Sequence, residues 1–170
     1  MPWVLVAFLL FTSEAYACSV AGVSNLEMVR SADAIIRATA VGYASPPTEP
    51  GKWTPGTPRP KVRFKVLENV RGPAISELVL PGILVNTDDF NDQPPPYTGV
   101  RPGGQGGNCF AESYRSGGQF LLFVKKTRTG EPTVYWYALA PVNEQLHSDD
   151  DPWLIWVRKE AHQAEGAPKR

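Results

Sequence analysis

The chain has 170 residues with 17 basic and 17 acidic side chains, so its formal net charge is zero. That balance leaves no strong field for nucleic acid or an anionic membrane, and neither is expected as a partner. Apolar residues make up 42% and charged residues 20%, ordinary for one folded domain, while 17 prolines and 15 glycines argue for short strands and long loops over a helical bundle.

The first seventeen residues read as a secretory leader. Residues 3–11 (WVLVAFLLF) form an apolar run too short to span a bilayer. A polar stretch and Ala15-Tyr16-Ala17 follow, with small residues at −3 and −1 as a signal peptidase requires. The n-region, Met1-Pro2, carries no Lys or Arg. Cleavage after Ala17 makes Cys18 the first residue of the mature chain. A lipoprotein signal would also put a cysteine directly after the cut. It prefers Leu at −3 and a small residue at −2, however, and here these are Ala15 and Tyr16. A free amine is the expectation and lipid anchoring the alternative. The product is secreted or periplasmic, with no transmembrane segment. Two cysteines in an exported chain are expected to pair. A Cys18–Cys109 bridge closes a loop of about 90 residues, worth on the order of 4 kcal/mol by chain entropy.

In the mature chain, Ser24-Asn25-Leu26-Glu27 is a capping box that opens a short helix through about Ala32. Residues 34–43 (AIIRATAVGY) predict a strand with Ile36, Ala38 and Ala40 on one face. Residues 45–60 hold six prolines and read as a loop. Residues 61–66 (KVRFKV) alternate charged and apolar, the clearest half-buried strand, and the stretch ends at an Arg71-Gly72-Pro73 turn. Residues 77–80 (ELVL) give another short strand. The following 81–108 read as a long irregular loop, a length that marks function or disorder. Residues 119–125 and 133–139 predict a hairpin around Thr129-Gly130. Asp149-Asp150-Asp151 before Pro152 starts a last helix, packing through Trp153, Leu154, Trp156 and Val157. Its end and a frayed tail fill 159–170. The expected architecture is mainly β: one domain over 18–158, a five- to six-stranded, OB-fold-like Greek-key barrel with a short N-terminal and a C-terminal helix.

No constellation for catalysis stands out, so an enzyme is not expected. His147 and His162 lack ligand spacing and read as surface residues, and neither metal nor cofactor is expected. The glycine-rich 102–107 segment lacks the GK[ST] ending of a phosphate loop. Asp88, Asp89 and Asp92 lack the closing Glu of an EF-hand. Lys61, Arg63 and Lys65 read as a solvated strand face, and the aromatic residues near 135–137 and 153–156 as core under the last helix.

One ordered set of segments resembles the tissue inhibitors of metalloproteinases, of the netrin-module OB-fold family. It comprises Cys18-Ser19, the Ala32 to Val41 strand, the strand from Val62 to Arg71-Gly72-Pro73, Cys109 beyond a long loop, and Gly117-Gly118-Gln119-Phe120-Leu121-Leu122-Phe123. The similarity spans roughly 18–140. Residues 88–92 and 143–146 have no counterpart in the animal inhibitors and point to a bacterial branch. The resemblance implies binding to a protein partner. Its narrower form is inhibition of an extracellular zinc metalloprotease. There the Cys18 amine and carbonyl would chelate the protease's zinc, Ser19 would enter the specificity pocket, Val20 would follow on the ridge, and Asn108 and Phe110 would flank it. An α-amino group of pKa near 8 loses its proton to zinc at little cost. Val20 departs from the family, whose third residue is usually Cys, and the family's C-terminal subdomain is absent.

Overall fold

The computed structural model describes residues 18, 22–49, 56–106 and 109–166. The expected leader, the prolines and Trp53 within 50–55, Ser19, Val20, Asn108 and the tail beyond 166 lie outside the described residues.

The first helix, α1 (Asn25–Ser31), begins where the capping box predicts. The Ser24 hydroxyl accepts the Glu27 amide at 3.2 Å, and Met28 and Val29 are buried. Its far end is closed from a distance, since the Arg71 guanidinium donates to the Val29 and Ala32 carbonyls. The turn carrying Arg71 depends on Gly72, whose φ is +88° and whose position leaves no room for a Cβ against the Asp33 carbonyl and the Ala34 Cα.

Four long pieces build the sheet: β1 (Ala34–Ser45), β2 (Lys61–Arg71), β3 (Glu77–Pro81) and, later in the chain, a strand at Gln119–Lys126. Two short strands, β4 (Ile83–Val85) and β5 (Ser113–Arg115), pair parallel to one another outside it. The Gln119–Lys126 strand is therefore β6, followed by β7 (Pro132–Val134) and β8 (Asn143–Gln145). The order across the sheet is β3-β2-β1-β6-β7, with β8 pairing β6, and every pairing in it is antiparallel. One face buries Ile36, Ala38, Ala40, Val62, Phe64, Phe120 and Leu122. Phe64 lies edge-on to Tyr114 and Phe120, with centroids 4.9 and 6.2 Å away. β6 is buried on both faces because α2 (Pro152–Gly166) covers the second one, and the Trp153 ring lies 6.2 Å from that of Phe123. Asp151 caps α2, accepting from the Trp153 amide at 2.8 Å. An ion network ties the helix to the strands, with Glu68 held by Arg158 at 2.5 Å and Arg37 bridging to Asp149 at 2.7 Å. The Arg158 hydrogen bond keeps the Glu68 carboxyl below its ordinary range.

The expected barrel requires correction: hydrogen bonding does not close the sheet. β3 and β7 come within 8 Å between Cα atoms but do not pair, and a groove of about 400 Å³ lies along the seam. By the register, Pro81 on β3 and Pro132 on β7 both turn their backbones to that seam. Neither has an N–H to offer, so each takes a donor away from a ladder along the seam.

The expected 133–139 strand also stops early. The Trp136 amide turns back to the Val134 carbonyl, and the chain then leaves the sheet. β8 takes the vacated place beside β6, a strand that the polar triplet Asn-Glu-Gln does not advertise. The 81–108 stretch is likewise not wholly irregular, since it contains β4 and a 3₁₀ turn at Pro102–Gly104.

Phe64 sits at the centre of the core, so Phe64→Ala should lower unfolding free energy by about 3–5 kcal/mol in urea titration. A cost below about 1 kcal/mol would contradict the packing described.

Candidate functional site: a disulfide-braced ridge

Cys18 and Cys109 form a disulfide across 91 positions of sequence, with Cα atoms 5.8 Å apart. Both residues are half-exposed, so the bridge lies at the surface and not in the core. Cys109 is one of two non-glycine residues with positive φ among the described residues, at +62°; the other is Leu139, at +60°. The two are partners, because the Leu139 amide donates to the Cys109 carbonyl at 2.8 Å. Leu139 in turn accepts from the Val100 amide at 2.8 Å. Left-handed conformations at such residues persist only where surroundings over-determine them, and they concentrate at functional positions.

Half-exposed aromatic rings extend from this point. Phe110 meets Trp136 edge-to-face at 5.2 Å. Tyr135 and Tyr137 pack at 4.8 Å with their hydroxyls 3.2 Å apart, and the Ser31 hydroxyl donates to Tyr135 at 2.9 Å. The sequence placed residues 135–137 in the core; they pack against it but keep one side in solvent, because the strand ends before them.

Beneath the ridge lies a buried polar cluster. Arg101 has no solvent exposure. Its guanidinium pairs with Asp89, donates to the Asn143 carbonyl at 3.1 Å and donates to the Ala111 carbonyl at 3.0 Å. The Asn143 side-chain Nδ2 donates to the same Ala111 oxygen at 2.6 Å. Glu144, equally buried, accepts from the Arg101 amide at 3.2 Å and from the Asn91 side chain at 2.9 Å. Burial pushes its carboxyl up to about 7, against the pull of Arg101. Gln145 completes the set, donating to Asp88 at 2.6 Å and accepting from the Asp89 amide at 2.9 Å. Burial likewise pushes the Tyr97 and Tyr114 hydroxyls up to about 12.

Of the residues singled out from sequence, Cys18, Cys109 and Phe110 are brought together; Ser19, Val20 and Asn108 lie outside the described residues. His147 and His162 do not converge. His147 stacks on Phe90 at 4.1 Å and contacts Asp151 at 3.1 Å, and His162 is exposed on α2. Asp88 and Asp89 serve the loop, pairing with Arg115 and Arg101. Among the described residues, no three His, Cys, Asp or Glu side chains are grouped to hold a metal ion. Also among them, no helix is long and apolar enough to cross a membrane. Sequence reasoning missed Arg101, Asn91 and β8 outright. The one signal was a polar triplet immediately after the apolar Ala-Pro-Val run at 140–142.

No protein-family description matches the chain, and no curated protein matches it.

Replacing both cysteines by serine should lower the melting temperature, with a loss on the order of 4 kcal/mol from the freed unfolded chain. Reductant should reproduce the shift in the wild type and leave the double variant unchanged. Arg101→Met leaves the partly buried Asp89 without its ion-pair partner and the buried Glu144 without its nearest cation, and should cost about 3–5 kcal/mol in denaturant titration. A neutral result there would mean that the cluster is not held by its cation.

Proposed function

We propose that the chain is an exported binding module that presents the Cys18–Cys109 ridge to a protein partner and acts by recognition, not catalysis. The observation that carries this reading is the bridge itself. It fixes a half-exposed Cys18 to Cys109, which is held in left-handed conformation, with half-exposed aromatic rings alongside. Aromatic residues on a rigid support are what protein interfaces use as anchors. The antiparallel order, with its outer strands side by side but unpaired, supports a partly open OB-like barrel of the kind found in the netrin modules that the sequence resembles. An extracytoplasmic location fits the disulfide.

The narrower reading is inhibition of an extracellular zinc metalloprotease by the Cys18 amine and carbonyl after leader removal. The bridge favours it, because a tethered chelating group loses less entropy on docking than a free terminus. Zinc in such proteases keeps a coordination position open for it.

N-terminal sequencing and intact mass of the exported product test the first reading. The expected product begins at Cys18, carries no lipid, and is short by two hydrogens. A lipid adduct, or a start upstream of Cys18, would remove the free ridge. For the narrower reading, the mature chain is assayed against a panel of zinc metalloproteases beside a version with one Ala added before Cys18. Inhibition by the first and not the second supports chelation; equal inhibition by both, or by neither, overturns it.

A further inference from the structure

We draw no further inference here: the strongest candidate, the groove along the unpaired seam between β3 and β7, is lined by side chains of both charges, Lys61, Glu77 and Glu131, and nothing in the structure shows what covers it.

Discussion

A guanidinium removed from water must find an acceptor for each N–H and a counter-charge for its cation, or the chain does not fold around it. Arg101 finds its counter-charge in Asp89 and gives each guanidinium nitrogen one acceptor, Asp89 and the carbonyls of Asn143 and Ala111, drawn from different parts of the chain. Those partners are what convert a stretch rich in proline and glycine into a defined surface. Without them, residues 86–106 would have few apolar side chains to bury, Tyr97 and Val100 being the main ones. The cluster replaces a hydrophobic core where the composition cannot supply one.

The disulfide acts on the same segment from its other end. It joins the start of the described chain to Cys109, while the polar cluster holds Ala111 and Val100 reaches Leu139. The ridge is therefore fixed by a covalent bond, a buried charge pair and a backbone hydrogen bond within a few residues. These constraints differ in what undoes them. The bridge responds to reductant, whereas the charge pair does not. Two left-handed non-glycine residues at the junction are the conformational cost of meeting all three together.

The open seam has a different origin. A sheet whose outer strands lie side by side normally either pairs them or shields them. Here a proline on each outer strand removes one donor from the seam, and β7 is only three residues long. The barrel that alternation and strand count suggested therefore stops short of closure, even though its two outer strands lie beside each other.

Local pattern determined α1, β1, β2, β3, β6 and the start of α2, because caps, alternation and turn chemistry act over a few residues. Ser24 and Glu27, the 61–66 alternation, and Asp151 before Pro152 each carry their own instruction. The Cys18–Cys109 pairing was legible too, since two cysteines leave only one intramolecular bridge. What only the tertiary structure decided were the elements whose reason lies elsewhere in the chain. Asn143-Glu144-Gln145 forms a strand because β6 offers an edge where β7 ends, and it is buried because Arg101, Asn91 and Asp88 come to meet it. A polar triplet ordinarily signals solvent, and nothing in its own sequence names partners more than forty residues away.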